Sequence, residues 1–295
     1  MTQLFVFGLG YTAQAYAAHA RASFDRIAGT VRSAARAGHT GRPADDVHLF
    51  DGSDAATRFD PAIGRDLAAA DLLLVSAPPD QAGDPVLRFY ADAISTAPRL
   101  KQIAYLSTVG VYGDHGGAWI DEDAALAPTS PRNARRVEVE RQWLALGAAT
   151  GRSVQVFRLA GIYGPGRNAL VKLRDGRAQR LVKDGQVFNR IHVRDIAAAI
   201  TAAWDGEVAS AVWNVTDDEP GPPQDVIAYA AGLLGMSAPP EVPFAEADLT
   251  PMARSFWGEN KRVSNRRLRR DLKVALAYPT YREGLDALAT AGEGR

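Results

Sequence analysis

The amino-acid sequence predicts an α/β fold in which a doubly wound parallel sheet is joined to a small C-terminal domain. Short apolar runs alternate with helix-like segments through the first half of the chain, a pattern typical of strands linked by crossover helices. The first apolar run leads directly into a glycine-rich turn. After Gly161 the alternation gives way to a region rich in glycine and proline, which predicts the smaller domain.

The first strand, over residues 4–7, is followed by the spacing G-x-G-x-x-A, formed by Gly8, Gly10 and Ala13. Gly8 permits a sharp turn, Gly10 lets a ligand approach the backbone, and Ala13 lets the next helix pack closely on the strand. That helix is expected from Thr12 onward, and its free N–H groups attract an anion. This strand–turn–helix pattern predicts a Rossmann-like site for the pyrophosphate of a dinucleotide.

Further strands are predicted at residues 26–32, 47–50, 71–76, 102–107 and 154–159. Pro78 and Pro79 end the fourth strand, because proline cannot donate to a sheet. A helix is expected over 138–146, a second over 196–204, and a strand over 212–215. We therefore assign residues 1–160 to the dinucleotide-binding domain, with 190–216 returning to it, and residues 161–189 and 217–295 to a substrate domain.

The end of the second strand indicates which dinucleotide is bound. A site for NAD usually places a carboxylate there to accept the ribose hydroxyls, but this sequence has Arg32 and Ser33. A guanidinium binds a 2′-phosphate through charge-assisted hydrogen bonds, and the serine donates another. The sequence therefore predicts NADP as the cofactor, with NAD left open.

The composition is that of an ordinary globular protein. Lys and Arg together number 34, as do Asp and Glu, so no net field favours nucleic acid or a membrane surface. The absence of cysteine excludes disulfides and a thiol nucleophile, and the histidines lack the spacing of a metal site. The basic run at 266–270 is expected on a solvated helix face. From the histidine spacing we expect no bound metal. No signal peptide or apolar membrane span is recognisable, so we expect a cytoplasmic protein.

The stretch LSTVGVYGD at residues 106–114 closely resembles the fifth-strand motif of the extended short-chain dehydrogenase/reductases. In that family a Ser or Thr four residues before the tyrosine hydrogen-bonds the substrate, and Thr108 holds this position. The stretches at 158–166, 190–197 and 213–220 are similar to three later motifs of the family, in the same order. The resemblance covers nearly the whole chain and implies the family's fold and its nicotinamide cofactor.

One departure from the family concerns its Y-x-x-x-K motif. Anchored on Pro131 and Glu140, the tyrosine position is Arg132 and the lysine position is Arg136. The family's tyrosine is the acid/base of hydride transfer, a role that a guanidinium cannot take because it does not release its proton. The resemblance thus implies an atypical, epimerase/dehydratase-like member of the family.

Arg132 and Arg136 are one helical turn apart, which leaves two interpretations open: a pair facing the cofactor and an anionic substrate, or surface arginines paired with nearby glutamates. Tyr112 is a candidate for the missing acid. We predict Thr108, Tyr112, Arg132 and Arg136 as catalytic residues and Gly161, Tyr163 and Arg167 as substrate-binding residues. The predicted cofactor-binding residues are Gly8, Gly10, Tyr11, Thr12, Ala13, Arg32, Ser33, Asp51, Ser76, Ala77, Pro78 and Arg136.

The expected function is that of an NAD(P)-binding oxidoreductase or epimerase/dehydratase-like enzyme acting on a small polar or anionic substrate. The alternative is a non-catalytic NADP-binding redox sensor that acts through a protein partner. The missing tyrosine and lysine favour the sensor, whereas Thr108 and the glycine-rich loop at 161–166 favour the enzyme. We expect no nucleic-acid or membrane partner and leave a homodimer open.

Overall fold

The computed structural model of the chain describes residues 2–37 and 47–294. The strands are β1 (Gln3–Phe7), β2 (Arg26–Val31), β3 (Val47–Leu49), β4 (Leu72–Val75), β5 (Gln102–Thr108), β6 (Trp119–Ile120), β7 (Ser153–Leu159), β8 (Gly161–Tyr163), β9 (Arg180–Val182), β10 (Arg190–His192), β11 (Ala211–Val215), β12 (Glu241–Pro243) and β13 (Arg262–Val263). The helices are α1 (Tyr11–His19), α2 (Ala34–Ala37), α3 (Pro61–Ala69), α4 (Pro85–Thr96), α5 (Pro131–Thr150), α6 (Ala169–Arg174), α7 (Val193–Asp205), α8 (Pro223–Leu233), α9 (Pro251–Phe256), α10 (Arg266–Asp271) and α11 (Tyr281–Thr290). Short 3₁₀ turns lie at Arg21–Ser23, Val109–Tyr112 and Phe244–Glu246.

The central sheet has seven strands in the order β11-β7-β5-β4-β1-β2-β3. The pairings of β1 with β2 and β4, of β2 with β3 and of β4 with β5 are parallel. From β1 the chain winds outward to β3 and then crosses back to β4, so the winding direction reverses between β1 and β4. The predicted Rossmann-like, doubly wound fold is confirmed, and such a reversal is where α/β sheets open a crevice for ligands.

The strands of this sheet are apolar because helices cover both of its faces. Leu4, Phe5, Val6 and Phe7 are all almost completely buried, so β1 does not alternate between apolar and polar residues. Aromatic rings fill the core beside it, where Phe7 packs on Phe50 and Tyr90.

The chain divides into two compact units. The first comprises Met1–Ser107, Ala134–Arg158 and Ala199–Trp213, and the second comprises Thr108–Asn133, Leu159–Ala198 and Asn214–Arg295. The first unit contains β1 to β4 and most residues of β5, β7 and β11. The dinucleotide-binding and substrate domains that we assigned from the sequence have different residue boundaries from these two units, and that assignment stays a prediction.

The second unit contains three small parallel sheets, which pair β8 with β10, β9 with β12 and β6 with β13. Helices α6, α8 and α11 pack around an apolar cluster that includes Leu170, Ala230 and Leu285. Helix α11 begins with a capping box, in which Thr280 and Glu283 satisfy each other's backbone N–H groups. Throughout residues 2–37 and 47–294, no helix combines the length and apolar character that crossing a bilayer requires.

Candidate functional site

Gly8 lies at the end of β1 in a conformation that side chains disfavour, with φ of +89°. A Cβ atom there would lie 2.9 Å from the backbone nitrogen of Ala77, which follows β4. The Gly8 N–H donates to Thr30 Oγ1 at 3.0 Å, and this bond fixes the turn against β2. The fold itself therefore requires glycine at this position, independently of any ligand.

Gly10 differs from Gly8 in both conformation and surroundings. It is the N-cap of α1 with φ of −84° and ψ of −172°, an extended conformation that any residue can adopt. A Cβ atom at Gly10 would meet nothing within 4 Å among the described residues. No side chain caps the nine-residue α1, and Ala13 is fully buried, as the motif predicts. The turn thus leaves open space at a helix N-terminus, which is suited to a diphosphate.

The other predicted cofactor residues of the first unit lie at the ends of neighbouring strands. Arg32 and Ser33 follow β2 and are exposed, and Asp51 follows β3. Hydrogen bonds from the backbone N–H and hydroxyl of Ser53 lower the pKa of Asp51, and the positive charge of Arg32 lowers it further. Asp51 and Arg32 are therefore close enough to interact electrostatically.

The turn after β4 adjoins the glycine turn. The N–H groups of Ser76 and Ala77 both donate to Phe7 O, at 2.9 and 3.0 Å, and Pro78 is exposed. Tyr11 and Thr12 form the first turn of α1, where Thr12 is buried. The structure thus brings residues 8–13 and 76–78 together at the carboxyl ends of β1 and β4.

Arg136 lies on α5 in the first unit and is half-buried. Its Nη1 donates to Leu106 O at 2.9 Å and to the Tyr105 hydroxyl at 3.2 Å. These bonds hold the guanidinium beside the end of β5. Burial raises the pKa of Tyr105, so this phenol is protonated near neutral pH.

A cavity of about 830 Å³ lies within the second unit. The predicted residues Thr108, Arg132, Gly161, Tyr163 and Arg167 all line it. Tyr112 is fully buried, does not line this cavity, and donates from its hydroxyl to Asn214 Oδ1 at 2.7 Å. The structure therefore gathers five of the predicted residues around one space.

Thr108 begins the 3₁₀ turn Val109–Tyr112, and its Oγ1 accepts a hydrogen bond from the Gly110 N–H at 3.1 Å. Because that bond uses a lone pair, the Thr108 O–H proton can be donated to a ligand. Asn133 packs directly on Gly110, where a Cβ atom would come within 2.6 Å of Asn133 Nδ2. Arg132 is exposed, and its guanidinium lies 5.0 Å from the centroid of the Phe256 ring.

Tyr163 is held by close packing. Its hydroxyl donates to Thr280 O at 3.3 Å, and its ring lies where any side chain at Gly284 would clash. Burial, followed by the negative charges of Asp217 and Asp195, raises the pKa of Tyr163. The phenol is therefore a neutral group near pH 7, able to donate a hydrogen bond but unable to act as a base.

The cavity is strongly cationic. Among the described residues that line it, Arg132, Arg167, Lys172, Arg177, Arg190 and Lys261 are positive, whereas Glu259 is the single carboxylate. Burial lowers the pKa of Lys172, and the like charges of Arg177, Arg167 and Arg190 lower it further. A cluster of positive groups that raise one another's energy favours binding of an anion.

Sequence reasoning missed five charged residues of the cavity, which are Lys172, Arg177, Arg190, Glu259 and Lys261. Lys261 is buried, and its Nζ donates to Glu259 Oε2 and to Gly113 O, both at 2.6 Å. Glu259 also accepts from Thr129 Oγ1 at 2.6 Å. The E-x-K spacing in an extended segment is a weak signal for such a pair, and nothing in the sequence relates it to Gly113.

The seven-stranded sheet with its glycine turn defines a Rossmann-like α/β protein, and a ligand-sized cavity occupies its second unit. The chain belongs to the NAD-dependent epimerase/dehydratase family, whose sequence model matches residues 90–216. This bears out the resemblance to the extended short-chain dehydrogenase/reductases.

The chain is also similar to three individual proteins. A functionally unknown conserved protein from Silicibacter pomeroyi has a solved structure that is 45% identical, with a TM-score of 0.86 over 99% of this chain and 100% of that one. Protein YeeZ of Escherichia coli is 31% identical over 189 residues, or 59% of this chain and 62% of YeeZ. A 3-diazoavenalumate denitrifying reductase of Streptomyces is 29% identical over 182 residues, or 56% of this chain and 58% of the reductase. The matches thus span less than two thirds of these two curated relatives.

Proposed function

We propose that the chain is an NADP-linked oxidoreductase or epimerase-like enzyme that acts on a small anionic substrate. The observation that carries this proposal is the contrast between the two glycines of the first turn. Gly8 is explained by the fold, whereas the open space at Gly10, beside an uncapped helix N-terminus, is explained by a ligand. The family's description as NAD-dependent supports a nicotinamide dinucleotide as that ligand.

The preference for NADP rests on the end of β2. Arg32 is exposed there, so solvent and a ligand can reach its guanidinium, and its positive charge also lowers the pKa of Asp51. A 2′-phosphate would gain charge-assisted hydrogen bonds from Arg32, and Ser33 would add a hydroxyl donor. Asp51 would remain ionised and orient Arg32.

A bound nicotinamide dinucleotide supplies a hydride donor or acceptor. This chain's own residues would bind and polarise the substrate: the Thr108 hydroxyl donates a hydrogen bond, and Arg132 and Lys261 contribute positive charge to the cavity. Arg136 would bind the cofactor ribose from its fixed position beside Leu106 O. Tyr112 would support the turn after Thr108 through its bond to Asn214 rather than exchange protons.

Arg132 provides a direct test of this division of roles. If its charge stabilises an anionic substrate, Arg132→Lys should retain more turnover than Arg132→Ala on an identified substrate, because only the alanine variant removes the charge. Steady-state kinetics of the two variants makes the comparison. Equal rates for wild type and Arg132→Ala would remove Arg132 from the site.

The alternative function is an NADP-binding sensor without catalysis, favoured by the arginines at the two motif positions. The cavity supports the enzyme, because a sensor needs no substrate site of 830 Å³. Oxidation of NADPH against a panel of small carbonyl acids separates the two functions. Turnover with any panel member supports the enzyme, whereas tight NADPH binding without turnover across the panel supports the sensor. A homodimer, a cytoplasmic location and the absence of nucleic-acid and membrane partners stay predictions.

A further inference from the structure

We propose that the cavity of the second unit recognises an aromatic carboxylate, a molecule with a flat apolar body and an acidic head. This inference names the substrate class of the proposed enzyme and to that extent rests on the proposed function. It depends on three properties of the cavity: two apolar walls, an excess of positive charge, and asparagine side chains that already make hydrogen bonds within the protein.

The walls belong to two separate apolar clusters. Tyr163, Val226 and Leu285 line the cavity and are part of the cluster around α6, α8 and α11. Leu181 and Trp257 also line it and belong to a second cluster, against which Phe188 packs. The volume of about 830 Å³ is within the range of sites that enclose a small organic ligand.

Aromatic groups give these walls a geometry suited to a flat ring. Phe188 meets Trp257 edge to face, with ring centroids 5.2 Å apart. Phe256 carries the guanidinium of Arg132 over its face. Aromatic rings attract another ring edge to face or in an offset stack, so walls that contain them favour an aromatic body over an aliphatic one.

The positive charge of the cavity calls for an acidic head. Lys172 lies within the influence of Arg167, Arg177 and Arg190, whose like charges lower its pKa. A carboxylate bound there would relieve this repulsion and restore the pKa of Lys172 towards its ordinary value. The carboxylate of Glu259 does not supply the negative charge for this cluster, because it is already hydrogen-bonded to Lys261.

The three asparagine side chains that line the cavity already make hydrogen bonds within the protein. Asn168 caps α6 through its Oδ1 and donates from Nδ2 to Gly164 O. Asn189 donates to Lys261 O and accepts from the Val263 N–H. Asn133 Nδ2 points at Glu259. A sugar has a hydroxyl on nearly every carbon, and burying these without partners is costly, so an apolar body fits better.

Isothermal titration calorimetry with three probes tests the inference. The probes are trans-cinnamate, the uncharged cinnamamide of the same shape, and UDP-glucose, which is anionic with a sugar body. We expect cinnamate to bind at least tenfold more tightly than either of the others. Equal affinities for cinnamate and cinnamamide, tighter binding of UDP-glucose, or no heat from cinnamate at millimolar concentrations would overturn the inference.

Two variants separate the acidic head from the apolar body. Lys172→Met keeps the aliphatic stem and should weaken cinnamate at least tenfold while leaving cinnamamide unchanged. Val226→Thr is nearly isosteric and should weaken both probes several-fold. Lys101→Met, an exposed lysine of the first unit, is the matched control and should change neither. Unchanged affinity for cinnamate in a folded Lys172→Met variant would also overturn the inference.

A parallel titration with NADPH keeps the two proposals distinguishable. Binding of NADPH without the expected probe ranking contradicts the substrate class alone. The expected ranking without binding of NADPH contradicts the proposed enzyme and leaves the cavity as a site for aromatic carboxylates.

Discussion

The two glycines of the first turn should respond oppositely to substitution, and this contrast separates folding from function. Gly8→Ala places a Cβ atom 2.9 Å from Ala77 N in a residue with φ of +89°. A left-handed backbone costs a side chain about 1–2 kcal/mol, and forcing an atom into a packed site costs about 1–3 kcal/mol more. We therefore expect Gly8→Ala to lower the free energy of unfolding by about 2–5 kcal/mol.

Gly10→Val should instead fold normally and fail to bind the cofactor. Its backbone is extended and a Cβ atom meets nothing within 4 Å of the described chain, so the free energy of unfolding should change by less than about 1 kcal/mol. The valine would occupy the space assigned to the pyrophosphate. We expect the Kd for NADPH to rise at least ~100-fold, which corresponds to about 2.7 kcal/mol.

Urea unfolding and NADPH fluorescence titration measure the two effects on the same preparations. Gly64→Ala is the matched control, because Gly64 lies within α3 with open space around it, so alanine should stabilise the helix by about 0.5–1 kcal/mol and leave NADPH binding unchanged. A folded Gly10→Val variant with wild-type affinity for NADPH would refute the assignment of the dinucleotide site.

Three further predictions concern other parts of the chain. Arg32→Ala should reduce the preference for NADPH over NADH at least ~10-fold, since it removes the partner of the 2′-phosphate; paired titrations measure this, and an unchanged ratio contradicts it. Burial raises the pKa of Asp217 to about 8, so the carboxyl keeps its proton in the fold at a pH where the unfolded chain loses it. Asp217→Asn should therefore gain stability relative to wild type by up to about 1.4 kcal/mol per pH unit between pH 4 and pH 8, and a pH-independent difference in urea unfolding would contradict this. Arg158→Met should cost about 3–5 kcal/mol because it strands the buried carboxylate of Glu140, and the double variant with Glu140→Gln should recover part of that loss; equal stabilities of the single and double variants would argue against the pair.

The sequence predicted the sheet well because its strands are buried on both faces. The predicted strand over 26–32 is Arg26–Val31, and that over 102–107 is Gln102–Thr108. Continuous apolar runs between turn residues give a clear signal in such sheets. The helix expected over 138–146 extends over Pro131–Thr150. Its first turns are polar, so no apolar period marks them as helical in the sequence.

The cavity was only partly predictable. Thr108, Gly161 and Tyr163 lie next to recognisable motifs, and they were found from those motifs. Glu259 and Lys261 depend on contacts with residues more than a hundred positions away, such as Thr129 and Gly113. No local pattern records such contacts, so the buried ion pair could be found only from the structure.

The buried hydrogen-bond network around Glu140, at the end of β5, could not be predicted from the sequence either. Glu140 accepts from the Ser107 hydroxyl and from Arg158, which lies 2.8 Å away through Nη2. In the sequence Glu140 matched a position of the family's motif, but its partners could not be identified. Buried ion pairs depend on proximity in three dimensions rather than on spacing along the chain.

A crystal structure of the protein grown with NADPH shows whether the glycine turn after β1 binds the dinucleotide. We predict that the pyrophosphate lies against the backbone of residues 8–13 at the N-terminus of α1, and that the 2′-phosphate contacts Arg32. Electron density for the dinucleotide at any other place, or crystals grown at saturating NADPH with no density at residues 8–13, would contradict the account.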